Sequence, residues 1–130
     1  MTQEAHRTQP NLPTKFSGDQ AEARACRHLE KHGLQLIVKN YRTPGRGGGE
    51  IDLIMRQSDG TLVFVEVRSR SASSYGGAAA SITPAKMRRI IFAARHYLMR
   101  LPQTPPCRFD VVAIEEDHLN WIQGAFDAQG

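Results

Sequence analysis

Two short segments with alternating side chains constrain the fold of this chain more than any other feature of its sequence. The first reads Gly-Glu-Ile-Asp-Leu-Ile over residues 49–54, and the second contains Val-Glu-Val-Arg over residues 65–68. Residues two apart share a face in each segment, as they do in a β-strand. Between the segments lies Ser58-Asp59-Gly60, a turn sequence whose glycine favours a bulged three-residue hairpin loop. The sequence therefore predicts a β-hairpin.

The register of the predicted hairpin follows from its turn. If Gln57 pairs with Thr61, Asp52 stands directly opposite Glu66. Two carboxylates in that position have Cβ atoms roughly 5 Å apart and repel each other. A hard divalent cation such as Mg²⁺ prefers oxygen ligands and would relieve the repulsion. The alternative is that Arg68 neutralises the two acids as an ion-pair partner.

Glu50 has a second interpretation, which the sequence leaves open. In the same register it stands opposite Arg68, where a cross-strand ion pair would account for it. Ile54, Leu62 and Phe64 share the predicted face with the acids, so we expect that face to be at least partly covered. Because partly buried carboxylates need partners, either an arginine or a metal ion is expected beside them.

The rest of the chain predicts helices that cover these strands. In chain order the other predicted elements are a helix over 19–32, a strand over 34–41, a helix that starts at Pro84 behind the N-cap Thr83, and a strand over 109–114. The tail over 118–126 fits either an edge strand or a short helix. The order α-β-β-β-α-β predicts an α/β fold in which the strands joined through the long helix run parallel. We expect a disordered leader over 1–15 and a single domain over 16–127.

Glu22 is a candidate functional residue in the first predicted helix. It continues the face formed by Ala25 and Leu29, and an unpaired carboxylate is costly to bury. The sequence Asp-Gln-Ala-Glu over 19–22 also fits a capping box with Asp19 as the N-cap. Capping and a role as a ligand or catalytic group therefore both remain open for Glu22.

Charge and cysteine content suggest the partners and the compartment. Seventeen Lys and Arg against thirteen Asp and Glu give a formal net charge of +4 and a pI near 9.4, which favours polyanionic partners. Cys26 and Cys107 have no metal-binding spacing and are expected to be buried and reduced. No segment approaches the roughly 18 consecutive apolar residues needed to span a bilayer. We therefore expect a cytoplasmic protein without membrane contacts.

Three of these segments together resemble the YraN-like family of small bacterial proteins. The likeness is carried by Gly49–Ile54, Phe64–Arg70 and Arg108–Val112, and it extends from about Gly18 to Phe126. That family is similar to the PD-(D/E)xK nucleases, especially to archaeal Holliday junction resolvases. The resemblance implies a restriction-endonuclease-like three-layer fold, in which helices flank a mixed β-sheet.

The resemblance also implies roles for particular residues. It puts Asp52 at the metal-binding aspartate of the nucleases, Glu66 at the acidic position of the (D/E)xK element, and Glu22 at the glutamate of the first helix. These three acids would hold Mg²⁺ or Mn²⁺ and, with Arg68, form the catalytic site. Arg68 occupies the lysine position, and because arginine stays protonated it can clamp a phosphate but cannot act as a general base.

The function implied by the resemblance is that of a metal-dependent endonuclease that hydrolyses DNA phosphodiester bonds, including those of branched structures. Arg70, Lys86, Arg88 and Arg89 would contact the nucleic acid, although a solvated helix face is the alternative for Arg88 and Arg89. The departure at Arg68 keeps a second function open, a non-catalytic nucleic-acid-binding module. Related resolvases are dimers, so the resemblance also implies a homodimer.

Overall fold

A computed structural model describes residues 14–70 and 82–128, with side chains from 18 to 69 and from 82 to 128. Its elements, in chain order, are α1 (Thr14–Lys31), β1 (Gln35–Arg42), β2 (Glu50–Arg56), β3 (Leu62–Arg70), α2 (Pro84–Leu98), β4 (Cys107–Glu115) and β5 (His118–Phe126). The five strands form one sheet in the order β1-β2-β3-β4-β5, with β3 and β4 parallel and the other neighbours antiparallel. The predicted α/β class and the parallel pair around α2 are confirmed. The undecided tail is an edge strand.

The two helices cover opposite faces of this sheet. Leu53 and Val65 belong to the apolar cluster that includes Leu29 of α1. Their neighbours Ile54 and Phe64 belong to the cluster that includes several residues of α2. Alternate side chains of β2 and β3 therefore supply two cores, and the sheet is the middle of three layers, as the resemblance implies.

Helix α1 begins earlier than the sequence predicts. Residues 1–13 of the predicted leader lie outside the described residues, whereas residues 14 and 15 already belong to α1. Asp19 therefore lies inside the helix and is not its N-cap, so the capping-box interpretation of Glu22 is wrong. The local pattern misleads here because α1 is held by the apolar face that it buries against the sheet.

The predicted hairpin has the predicted register. The backbone N–H of Gln57 donates to the Thr61 carbonyl at 2.9 Å, and Gly60 adopts a left-handed conformation with φ of 94°. Leu53 pairs with Val65 across the two strands. The next residues along the two strands, Asp52 and Glu66, have interacting carboxyl groups, as the turn predicts.

Strict alternation in β2 breaks at Asp52. Ile51 and Ile54 belong to the same core cluster, whereas Leu53, between them in sequence, packs on the opposite face. The pairing of β2 with β3 ends at Leu53. Beyond it, the Asp52 carboxylate accepts a hydrogen bond from the Val67 backbone N–H at 2.8 Å. The Asp52 side chain thus takes the place of a backbone carbonyl where the two strands separate, which corrects the expectation of a regular strand over 50–54.

Helix α2 begins where the sequence predicts and lies directly against the chain before β2. The Thr83 hydroxyl accepts a hydrogen bond from the Lys86 backbone N–H at 3.1 Å, as an N-cap does. A Cβ atom at Gly49 would collide with the Arg89 carbonyl oxygen and lie 3.0 Å from the Ala93 nitrogen. This close approach places the first turn of α2 beside the point where β2 and β3 separate.

Two expectations about the cellular setting can be compared with the structure. Both cysteines are free, and Cys26 is buried, but Cys107 is exposed because it begins β4 at the margin of the sheet. The expectation of a buried thiol is therefore wrong for Cys107. Within the described part of the chain, neither helix has the length and apolar character needed to cross a bilayer.

Candidate active site

A cavity of about 450 Å³ lies where α1, the separating ends of β2 and β3, and the first turn of α2 meet. Four acidic and two basic side chains line it. They are Glu22, Glu50, Asp52, Glu66, Arg68 and Lys86. The four residues predicted as catalytic, which come from three different elements, are therefore brought together around one cavity.

Glu66 is the most buried acid of the cavity, with 2% of its side chain exposed. Its Oε2 lies 3.4 Å from an Arg68 guanidinium nitrogen and 3.6 Å from Lys86 Nζ. Its Oε1 is buried and has no hydrogen-bond partner among the described residues. Burial, followed by the neighbouring Asp52 carboxylate, raises the pKa of Glu66 to about 8. The two neighbouring cations lower the pKa of Glu66, but they do not cancel the effect of burial and of the Asp52 carboxylate.

Asp52 connects the other two predicted ligands. Burial raises its pKa, and the hydrogen bond from the Val67 N–H opposes that rise. The Asp52 carboxyl is near enough to the Glu66 and Glu22 carboxyls to influence the pKa of both. Carboxyl groups that interact in this way titrate together. The carboxyls of Asp52 and Glu66 thus face each other, as the register predicts.

Glu22 reaches this cluster from the interior of α1. Burial raises its pKa to about 7, with further contributions from Asp52 and Asp19, while a hydrogen bond with Asn40 lowers it. Asn40 itself has a left-handed backbone with φ of 51°, a conformation that asparagine tolerates better than most residues. Since helix capping does not account for Glu22, its contact with Asp52 is the feature that explains an acid on this face of α1.

The acidic cluster has the chemical character of a divalent-cation site. A buried carboxylate oxygen lacks a partner, and three adjacent carboxyls have raised pKa values. In residues 14–70 and 82–128, however, no three His, Cys, Asp or Glu side chains are arranged as a preassembled metal site. Asp52 and Glu66 are the residues that best fit a cation. Two carboxylates suffice for Mg²⁺, which keeps several of its water ligands.

Lys86 occupies a position that the sequence did not reveal. It was predicted as a nucleic-acid contact, but its Nζ lies among the acids, 3.6 Å from Glu66 and 3.8 Å from Glu50. Glu50 thus pairs with Lys86, and the cross-strand Glu50–Arg68 pair considered above is not the one formed. The Thr83 N-cap predicts that Lys86 lies in the first turn of α2, but only the packing of α2 on Gly49 directs that turn toward the acids.

Arg88 and Arg89, which were also predicted to contact nucleic acid, do not line the acidic cavity. Arg89 lines a second cavity, of about 300 Å³, together with Arg42 and the glycine-rich loop before β2. Arg88 is exposed on α2. The side chain of Arg70 lies outside the described residues, so its role stays a prediction.

Proteins similar to this chain cover nearly all of it. The sequence model of the Uncharacterised protein family UPF0102 matches residues 21–114. A UPF0102 protein of Acidovorax sp. (strain JS42) is 65% identical over 119 residues, which is 92% of this chain and 90% of that protein. A UPF0102 protein of Paracidovorax citrulli is 64% identical over 115 residues, 88% of this chain and 85% of that protein. Among solved structures, Pyrococcus furiosus SfsA in complex with Ca²⁺ aligns with 86% of this chain and 63% of its own, at 16% identity and a TM-score of 0.38.

Proposed function

The chain belongs to protein family UPF0102, as the YraN-like resemblance implies, and from that premise we propose that it is a metal-dependent nuclease that hydrolyses DNA phosphodiester bonds. The observation that carries the proposal is the buried, unpartnered Oε1 of Glu66 beside Asp52 in an open cavity. A purely structural carboxylate would have its oxygens satisfied by the fold. A cation-binding role would explain why the fold leaves one oxygen of this carboxylate without a partner.

Asp52 and Glu66 would hold the cation. When bound there, Mg²⁺ or Mn²⁺ would polarise the phosphate and lower the pKa of a coordinated water. The hydrogen bond from the Val67 N–H holds one Asp52 oxygen in place, which fixes that carboxylate before a ligand enters. The protein thus supplies two partly or fully buried oxygen donors, one of which is held in place by the backbone.

The two basic residues of the cavity would receive the phosphate. Arg68 stays protonated and donates from a rigid planar fork, so its role is to hold phosphate oxygens and stabilise the charge that develops on them. Lys86 contributes a second positive charge from α2, next to Glu50 and Glu66. Without these cations, four carboxylates would repel an anionic substrate.

Glu22 would accept the proton of the attacking water. In the metal-free protein its pKa is raised to about 7, so its carboxyl is a weaker acid than an ordinary glutamate and is suited to accept a proton. Arg68 cannot do this, because a guanidinium does not lose its proton in this range. The structure of the cluster therefore favours Glu22 over Arg68 as the general base.

A cleavage assay tests the proposal. Purified protein is incubated with four-way junction, flap, single-stranded and duplex DNA in Mg²⁺ or Mn²⁺. We expect metal-dependent cleavage of at least one substrate, and a fall in rate of about 100-fold or more for Asp52→Asn and for Glu66→Gln. Glu30→Gln, an exposed acid at the other end of α1, should cleave like the wild type. Absence of cleavage in every condition, or equal cleavage by Asp52→Asn, would contradict the proposal.

A non-catalytic nucleic-acid-binding module is the second candidate, and the arginine at position 68 favours it. In that case Arg68 and Lys86 hold phosphates while the acids no longer support turnover. Binding that weakens steeply with salt, without cleavage by any metal, would distinguish this function from the first. A homodimer and a cytoplasmic location stay predictions, and light scattering of the purified protein tests the former.

A further inference from the structure

A second cavity adjoins the acidic one, and the proposed reaction does not use it. It has a volume of about 300 Å³ and lies at the loop between β1 and β2. Glu50 lines both cavities, so the two share a wall. The other lining residues of the second cavity are Arg42, Thr43, Gly45, Gly47, Gly48, Gly49 and Arg89.

The glycine-rich loop around this cavity has a defined shape. Thr43 is buried. Its hydroxyl accepts a hydrogen bond from the Gly49 N–H at 2.8 Å, and the Thr43 backbone N–H donates to the Gly49 carbonyl at 3.1 Å. These bonds close the loop at its base. Gly45 and Gly47 have φ values of 87° and 65°, which strongly favour glycine, and a Cβ atom at Gly48 would collide with the Thr43 hydroxyl. The conformation of the loop therefore favours glycine at positions 45, 47 and 48.

Two arginines reach the cavity from different elements. Arg42 ends β1, and Arg89 belongs to the turn of α2 that packs on Gly49. Neither guanidinium forms an ion pair or hydrogen bond with a residue whose side chain the structure describes. The acid in the lining, Glu50, lies 3.8 Å from Lys86 on the side of the acidic cavity. Two arginines against one acid, which itself pairs with Lys86, give the lining of the second cavity a net positive charge.

We propose that this second cavity binds a phosphate group of the nucleic-acid backbone, next to the phosphate that enters the acidic cavity. Guanidinium groups match phosphate oxygens with paired, charge-assisted hydrogen bonds. Glycines without side chains let a backbone phosphate approach the loop closely. Glu50, on the shared wall, keeps the two phosphates in separate cavities. The proposal rests on the nuclease function, because it assigns a second part of the same substrate.

The test measures binding in EDTA, so that cleavage plays no part. Fluorescence anisotropy follows duplex and four-way junction DNA as the wild type, Arg42→Gln, Arg89→Gln and the control Arg27→Gln bind across a range of salt concentrations. Arg27 is exposed on α1 and does not line either cavity. Each cavity variant should weaken binding and reduce the slope of log affinity against log salt by about 0.9 on duplex DNA, since one phosphate contact is lost. Arg42→Lys should keep most of the slope.

The outcomes separate this proposal from the nuclease function. If the wild type binds DNA and both cavity variants match Arg27→Gln in affinity and slope, the second phosphate site is wrong and the nuclease function is untouched. If cleavage requires Asp52 and both Arg42→Gln and Arg89→Gln reduce the salt dependence of binding, both proposals stand. If the wild type neither binds nor cleaves DNA, both are overturned. Unchanged melting temperatures of the variants show that each result concerns binding and not folding.

Discussion

At the scale of single residues, the buried carboxyl of Glu66 is suited to bind a ligand but lowers the stability of the metal-free protein when it is ionised. Burial and the neighbouring acid raise the pKa of Glu66 to about 8 from an ordinary value of 4.5. The protonated form is therefore the one that the metal-free fold prefers. The stability that this proton contributes is fully present below pH 4.5 and is lost as the pH rises through about 8.

The metal-free protein should therefore lose thermal stability between pH 5 and pH 9, and Glu66→Gln should lose less. The amide has the shape of the acid without its charge, so it should raise the melting temperature at pH 9 and change it little at pH 5. Thermal unfolding in EDTA at the two pH values measures the effect. Glu30→Gln on the exposed part of α1 is the matched control. A Glu66→Gln protein that melts below the wild type at pH 9 would contradict this account.

Most residues of this cluster are predictable from the sequence, but their ion pairs and pKa values are not. The turn at Gly60 fixes the register that brings Asp52 and Glu66 together, because hairpin turns are local. The ion pair of Glu50 was not predictable in the same way. It depends on Lys86, which a helix distant in sequence brings to the site.

At the scale of elements, the packing of α2 on the chain before β2 positions Lys86 and Arg89. A Cβ atom at Gly49 would meet backbone atoms of Arg89 and Ala93, which cannot move without shifting the helix. Gly18 in α1 is the opposite case, since a Cβ atom there would meet nothing within 4 Å. The two glycines therefore give a matched pair of substitutions.

Gly49→Ala should destabilise the protein by about 1–3 kcal/mol through overpacking. Gly18→Ala should stabilise it by roughly 0.5–1 kcal/mol, because alanine is the better helix former. Urea unfolding measures both changes. Gly49→Ala should also slow cleavage, because a displaced α2 moves Lys86 away from the acids. A Gly49→Ala protein as stable as the wild type would show that α2 does not depend on this contact.

The sequence predicts where some elements begin and not others. The start of α2 is predictable, since Thr83 and Pro84 mark it locally. The start of α1 is not predictable, because an Asp-x-x-Glu pattern inside the helix resembles a cap. The break of alternation at Asp52 was also missed, since it arises where β2 separates from β3 and where Asn40 takes a left-handed backbone.

One acid of the family-like segments has a structural role that alternation alone does not reveal. Asp110 in β4 is fully buried and accepts hydrogen bonds from Arg108, Trp121 and the Gly124 N–H. These contacts attach β5 to β4 at an irregularity in their pairing. Unlike Glu66, Asp110 has both oxygens satisfied by the fold, which is what separates a structural from a functional buried acid here.

For the whole molecule, the sheet order explains why one cavity collects residues from four elements. The separation of β2 from β3 opens a gap, α1 closes it on one face, and the first turn of α2 reaches it from the other. The order of elements and the parallel pair were predictable from hydrophobic patterns. How far β2 and β3 separate was not, since it depends on the packing of both helices together.

Calorimetric titration with Mn²⁺ tests the central claim, that Asp52 and Glu66 form a cation site, most directly. We predict binding at one site per chain near neutral pH, with release of protons because the cation displaces them from carboxyls of raised pKa. Comparing the heat in buffers of different ionisation enthalpy measures that release. Glu66→Gln should abolish the binding, and Glu30→Gln should not. Absence of Mn²⁺ binding by the wild type, or equal binding by Glu66→Gln, would contradict the account.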